Sequence, residues 1–296
     1  MLVMNTLDLP GIKKVHSGKV REMFEVDGDL LMVATDRVSA FDVVLPDTVP
    51  AKGKILTQLS SFWFDRTSHL VKNHLLSRDV KDFPRQLKPF AEQLAGRSLL
   101  VRKCRPLPVE CVVRGFLAGS GWSEYQEHHT ICGIRLPPGL RQSDPLPEAL
   151  FTPSTKSTKG HDENIRFEEL VGIVGRELAE DIRGLSLQVY DWAREFARHH
   201  GIIIADTKFE FGQEGSDLYL IDELLTPDSS RFWPTQRYQP GKAQSSYDKQ
   251  FIRDYLNGLA WNKQAPAPKL PDSILESTSQ RYRKAFRCLT GREPDL

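Results

Sequence analysis

Asp206, Lys208 and Glu210 occupy alternate positions of the run Ile202-Ile203-Ile204-Ala205-Asp206-Thr207-Lys208-Phe209-Glu210-Phe211-Gly212. The run opens apolar and then alternates, which reads as a strand, and in a strand alternate residues share a face. Two acids and a lysine then stand on one side, with Thr207, Phe209 and Phe211 turned to the core. Such a row on a largely buried strand is costly unless something pairs it. A second strand, Leu220-Ile221-Asp222-Glu223, follows the turn Gln213 to Asp217. If the hairpin pairs even positions with even positions, Asp222 shares the face of Glu210. Glu210 and Asp222 then make a two-carboxylate site of the kind that holds magnesium together with nucleotide phosphates and water. Lys208 beside them would neutralise a phosphate or an incoming carboxylate. The plainer alternative is a surface strand with a salt bridge, which the apolar flanks disfavour.

Further clusters suit anions. In Thr226-Pro227-Asp228-Ser229-Ser230-Arg231-Phe232-Trp233-Pro234 the hydroxyls of Ser229 and Ser230 can donate to a phosphate and Arg231 can grip it in a fork; a capped polar turn would use the same residues. Arg114 ends an apolar run before Gly115-Phe116-Leu117-Ala118-Gly119-Ser120-Gly121-Trp122, where small residues let backbone N–H groups approach an anion, or simply allow a tight loop. His16-Ser17-Gly18-Lys19-Val20-Arg21 puts two basic residues on one face of a strand after a glycine turn, as a cover over nucleotide phosphates would. Thr35-Asp36-Arg37-Val38-Ser39-Ala40-Phe41-Asp42 fits an amine and a carboxylate held together, and equally a self-satisfied loop. His161-Asp162-Glu163-Asn164 is no chelating set, because adjacent residues on an element face different ways; cap and loop bonding suits it better. Two nucleotide fingerprints are absent. Trp122-Ser123-Glu124 follows Gly119-Ser120-Gly121, so there is no G-x-G-x-x-G, and Lys13 stands where a phosphate-binding loop ending at Gly18-Lys19 needs glycine.

The elements that position these groups follow from periodicity. Val20 to Val26 and Leu30 to Ala34 form strands around the hairpin signal Asp27-Gly28-Asp29. Lys54 to Asn73 has helical spacing of Leu56, Leu59, Phe62, Trp63 and Leu70. Ser98 to Lys103 and residues 109–114 read as strands, separated by Arg105-Pro106-Leu107-Pro108, the best boundary candidate. Residues 133–165, rich in Pro, Gly, Ser, Asp and Lys, read as a long irregular region. Phe167 to His200 reads as one long helix capped by Gly201. Ile202 to Phe211 and Leu218 to Leu225 make a hairpin, and Tyr247 to Leu259 and Ser273 to Leu289 are helices.

The 296 residues suffice for two domains and need no staple. With 40 Lys+Arg against 39 Asp+Glu the formal net charge is +1, which disfavours a general nucleic-acid binder. Cys104, Cys111, Cys132 and Cys288 show no C-x-x-C spacing and read as reduced thiols. The start MLVMNTLDLPGIKK lacks a secretory pattern and no apolar run is long enough to span a bilayer, so a cytoplasmic protein without membrane contact is expected.

Taken together the segments resemble the phosphoribosylaminoimidazole-succinocarboxamide synthase (SAICAR synthetase) family. The runs that carry the resemblance are SGKVRE, ATDRVSAFD, GKILTQLSSFWF, RKCRPLPVECVVRG, LAGSGW, FTPSTK, HDENI, DTKFEFG and LIDELLTPDSSRFWP, in order over nearly the whole chain. The resemblance implies an α+β, two-lobed ATP-grasp/kinase-like fold with antiparallel sheets and flanking helices: residues 1–104 as a β-rich nucleotide-covering lobe, 105–296 as a larger lobe with the metal and substrate site. It implies ATP-dependent joining of L-aspartate to an imidazole ribonucleotide carboxylate, with ATP and Mg2+ required, in a monomer or homo-oligomer. Carried onto this chain, Gly18, Lys19 and Arg21 fall in the ATP-phosphate hairpin, and Lys103 and Glu110 beside the nucleotide. Glu210 and Asp222 match magnesium and nucleotide carboxylates. Arg114, Ser120, Ser230 and Arg231 match ribonucleotide positions, Lys208 lies by the reacting carboxylate, and Asp36 is near the imidazole or aspartate as a candidate base. Two positions depart from the family pattern: Glu22 where Asp is frequent, and Ala51 where Gly is frequent. Two other function classes use similar parts, a small-molecule kinase and a non-enzymatic nucleotide sensor or RNA-binding module; aspartate-dependent ADP release separates the ligase from the first, and turnover separates it from the second.

Overall fold

The computed structural model describes residues 3–156 and 163–296. Asp27 and Gly28 both have positive φ, 52° and 92°, the backbone a two-residue hairpin needs. They join Arg21–Val26 to Asp29–Ala34 within a five-stranded antiparallel sheet whose spatial order is Lys13–Ser17, Arg21–Val26, Asp29–Ala34, Ser98–Val101, Leu75–Ser77. A second, seven-stranded antiparallel sheet is built on Pro145–Phe151, Val109–Phe116, Ile202–Glu214 and Asp217–Ile221 in that order. Ser154–Thr155 pairs with Val109–Phe116, and Arg105–Pro106 and Ser230–Pro234 pair with Ile202–Glu214. The chain changes sheets between Val101 and Arg105, at the Pro-rich segment.

One apolar core runs through both sheets. Ile55, Leu59, Trp63 and Phe64 of the helix Lys52–Thr67 pack with Met32, Leu99 and Val101 of the first sheet and with Val109, Val113, Phe209 and Phe211 of the second. The helix Arg176–His199 covers the second sheet with Ile182, Val189, Ala193 and Ala197, spaced to share one face. The C-terminal helix Asp272–Thr290 closes the core through Tyr282, Ala285, Phe286 and Leu289 and packs on Lys52–Thr67.

The long strand holds a feature that alternation alone does not reveal. Ile204 lies opposite Phe232 and Asp206 opposite Arg231, so Ala205 is an extra residue, a bulge. Ile202 and Ile204 face the main core before it, and Phe209 and Phe211 after it. The insertion shifts the phase by one, which is why Asp206, Lys208 and Glu210 are turned away from the core that the even-numbered isoleucines enter. The Tyr190 hydroxyl donates to the Ile204 carbonyl at 2.7 Å and holds the kink from the covering helix.

Four expectations need correction. The helix over 167–200 is two, Phe167–Val174 and Arg176–His199, broken at Gly175 with φ 86°. The region 133–165 contains the strand Pro145–Phe151, which lies at the sheet edge, where Pro145 and Pro147 are tolerated. The helix starting near Lys54 ends at Thr67 rather than Asn73. The C-terminal part of the hairpin is shorter, Asp217–Ile221. Of the two family departures, Glu22 is buried and pairs with Arg37 at 2.6 Å, a structural role. Ala51 is in the left-handed region at φ 61°, where glycine would sit without steric cost. The four cysteines are free thiols.

Candidate active site

Glu210 pairs with Ile221, so an even position meets an odd one, and the register expected to align the two carboxylates is not the one formed. A straight continuation would set Asp222 opposite Phe209, on the core face. Instead the strand ends at Ile221 and Asp222 takes φ 68°, which redirects it. Glu210 and Asp222 consequently line one cavity of about 570 Å³, with Lys208, Glu110, Lys156 and Arg21. That volume falls in the range of small-molecule sites.

The acids of the cavity are each held by a cation. Lys208 Nζ donates to Glu110 Oε1 and to Glu210 Oε1, both at 2.7 Å. Lys156 pairs with the other oxygen of Glu210. Arg21 pairs with Asp222 and, at 3.0 Å, with Glu223. Burial works against the charge on Lys208, but Glu210 and Glu110 outweigh it and raise its pKa above the ordinary value. Burial likewise works against ionised Asp222, and Arg21 and Lys208 override it, bringing the carboxyl down to about 2. Next to Asp222, His74 is pulled down to about 4 by burial and is neutral at pH 7.

A second group of charges adjoins the first on the same strand. Asp206 is paired across the sheet with Arg114 on one side and Arg231 on the other. Arg231 Nη1 lies 2.5 Å from Asp206 Oδ2 and Arg114 Nη1 3.5 Å from it. Arg114 also donates to Ser120 Oγ and Thr152 Oγ1, each at 3.0 Å. Gly119 has φ 56°, and a Cβ there would lie 2.2 Å from Arg231 Nη2, so a larger residue would displace the guanidinium. The helix Gly119–His128 starts at this point, adding the positive end of its dipole. Two guanidiniums, one carboxylate and a helix N-terminus leave a positive excess suited to a phosphate.

The other expected site residues divide. Gly18 and Lys19 line the cavity, and Lys19 reaches Asp42. Lys103 instead reaches Glu25 at 2.6 Å, while its neighbour Arg102 lines the cavity. Asp36 is fully buried and accepts from Met4 N at 2.8 Å, Gly53 N at 2.9 Å and Arg97 Nη1 at 3.2 Å, so it is engaged in the fold and is not placed to take a proton from a substrate. Ser230 points to the core face opposite Arg231, with its hydroxyl 2.8 Å from that of Thr207, because neighbours on a strand face opposite ways. His161 and Asp162 lie outside the described residues; Asn164 bonds Glu124 at 3.0 Å. Among the described residues no group of three or more His, Cys, Asp or Glu could hold a metal by itself. Sequence reasoning gave no role to Lys156, Glu223 or His74. Lys156 comes from a stretch without periodicity, and burial of His74 depends on contacts distant in the chain.

No helix among the described residues is long and apolar enough to cross a membrane. The family model described as SAICAR synthetase matches residues 14–268. The phosphoribosylaminoimidazole-succinocarboxamide synthase of Pelobacter propionicus is 56% identical over 290 residues, 98% of each chain. That of Geobacter sulfurreducens is 53% identical over 292 residues, again 98% of each. The solved SAICAR-synthase from Saccharomyces cerevisiae complexed with SAICAR is 41% identical with a TM-score of 0.89, covering 99% of this chain and 100% of that one. With relatives matched almost end to end and the charged cavity in place, the chain belongs to the SAICAR synthetase family.

Proposed function

We propose that the cavity is where ATP and the imidazole ribonucleotide meet, in a two-lobed ATP-grasp/kinase-like arrangement with residues 1–104 covering the nucleotide and 105–296 carrying the substrate side. As a SAICAR synthetase the chain uses ATP to join L-aspartate to the carboxylate of 5-amino-1-(5-phospho-D-ribosyl)imidazole-4-carboxylate, giving SAICAR, ADP and phosphate in purine biosynthesis.

A carboxylate is a poor electrophile until its oxygen becomes a leaving group, and phosphorylation by ATP supplies one. Phosphoryl transfer rests on alignment and charge neutralisation. Gly18, Lys19 and Arg21 cover the phosphates. Lys208, kept charged by Glu110 and Glu210, faces the transferring group and the carboxylate that receives it. Arg114, Ser120, Arg231 and the helix N-terminus at Gly119 hold the ribonucleotide phosphate. Hard carboxylate oxygens on one cavity wall fit Mg2+: Glu210 and Asp222, the latter held below the usual carboxylate range by Arg21 and Lys208, would hold it, and when bound it would neutralise phosphate charge. The aspartate amine then attacks the acyl phosphate, which the closed cavity must shield from water.

The observation that carries this reading is Lys208 set between two carboxylates on the wall that also carries Asp222. ADP release with each substrate omitted in turn tests it. ADP should form only when ATP, ribonucleotide and aspartate are all present; release without aspartate at the full rate would make the site that of a kinase. Arg231→Ala should raise KM for the ribonucleotide far more than for ATP, and equal effects would remove Arg231 from phosphate binding.

A further inference from the structure

Asp228 is buried in the turn that joins the metal-side hairpin to the strand bearing Arg231. It meets three elements far apart in sequence, two through ion pairs and one through a hydrogen bond. Lys52 Nζ, in the first turn of the helix Lys52–Thr67, lies 2.8 Å from Oδ2, and Lys249 Nζ, just before the helix Gln250–Asn257, lies 3.1 Å from it. The Tyr282 hydroxyl, in the middle of the C-terminal helix, donates to Oδ1 at 3.0 Å. Burial works against this carboxylate, and Lys249 and Lys52 override it, so its pKa is well below the usual range. Burial and the Asp228 charge push the Tyr282 hydroxyl up, so it remains a donor.

Neither Asp228 nor any of its three partners lines the 570 Å³ cavity, yet the turn is tied to it on both sides. Thr226 Oγ1 donates to Glu223 Oε2 at 2.5 Å, and Glu223 pairs with Arg21 beside Asp222. The Ser229 carbonyl accepts from the Lys208 amide at 3.0 Å. Two residues further, Arg231 meets Asp206. A shift of Asp228 therefore moves the partner of Arg21, the main chain at Lys208 and the guanidinium of Arg231 together. The helix that carries Tyr282 lies beyond residue 268, where the match to the family model ends.

We propose that Tyr282 is a positioning residue for the ligation: by holding Asp228 it lets the C-terminal helix set the turn from which Arg231 reaches the ribonucleotide phosphate. The proposal rests on the reading of Arg231 given above. Tyr282→Phe keeps the ring in the core and removes only the hydroxyl. It should lower kcat/KM for the ribonucleotide about tenfold, the effect of one hydrogen bond to a buried charge, mostly through KM, with KM for ATP changed less than about twofold. Ser279→Ala removes a different polar anchor of the same helix, the bond to the Pro50 carbonyl at 2.7 Å. It should lower the melting temperature and leave both KM values alone. Lys249→Met, which releases Asp228 from another side, should repeat the KM signature and serves if Tyr282→Phe does not fold. Arg231→Ala is measured in parallel. If that variant keeps the ribonucleotide KM, the phosphate reading fails and the proposal with it. If it raises KM while Tyr282→Phe does not, or if Ser279→Ala raises KM as much as Tyr282→Phe, the positioning role alone is overturned.

Discussion

Lys208 keeps its charge inside the protein because two carboxylates contact its ammonium, and Arg21 together with Lys208 holds the Asp222 carboxyl below the usual carboxylate range. Asp222→Asn should abolish ADP formation, by about a thousandfold or more if it removes preorganised charge from the reacting phosphate, with the circular-dichroism spectrum unchanged; turnover at the normal rate would overturn the proposed metal-holding role of Asp222. The acid response follows from the sign of its shift. The folded-state pKa is depressed from 3.8 to about 2, so Asp222 contributes stability above 3.8 that is lost as pH falls through about 2. Acid unfolding curves of Asp222→Asn should fall less steeply over that interval than those of the parent. Asp36 is expected to behave oppositely to a base. Asp36→Ala takes the acceptor from Met4 N and Gly53 N and the carboxylate partner from buried Arg97, and should cost about 3 kcal/mol of stability or more, while the molecules that remain folded keep kcat, as denaturant titration beside active-site-normalised kinetics would show. From sequence, Asp36 and Lys208 look alike, each a charge at a strand end or face. What separates them is the set of donors that folds onto Asp36 from Met4, Gly53 and Arg97, while Lys208 lines the cavity.

At the scale of elements, the bulge at Ala205 and the left-handed Asp222 turn two ordinary strands into one charged wall. Tyr190→Phe frees the Ile204 carbonyl and should cost about 1–2 kcal/mol, the value of a buried hydrogen bond, with kcat lowered as well because the face of Lys208 depends on the kink. Stability loss with unchanged kcat would show that the kink holds without the hydroxyl. The hairpin, the helix Lys52–Thr67 and the alternation from Asp206 to Phe211 were legible because periodicity is local. The bulge was not, because an apolar run hides its own phase. Nor was the register of the hairpin, because turn length and the twist of neighbouring strands set it together. The strand Pro145–Phe151 escaped notice for another reason: its prolines read as breakers, and only its edge position makes them harmless.

At the scale of the whole molecule, one core extends through both sheets by way of the helix Lys52–Thr67 and is closed by the C-terminal helix. Calorimetry should accordingly show a single unfolding transition; two separated transitions would mean that the sheets are stabilised independently. Sequence by itself determined the identity of the family, the strands and helices with clean periodicity, and Asp206, Lys208, Glu210, Arg114 and Arg231 as charged candidates, since motif and periodicity are properties of neighbouring positions. The tertiary structure alone decided that Asp222 reaches the wall of Glu210 despite an unfavourable register, that Asp36 and Ser230 belong to the interior, that Lys103 turns to Glu25, and that the C-terminal helix holds Asp228. Each of those outcomes depends on which distant groups are packed within a few ångströms, and burial and pairing across the fold, unlike local pattern, arise only when the chain closes on itself.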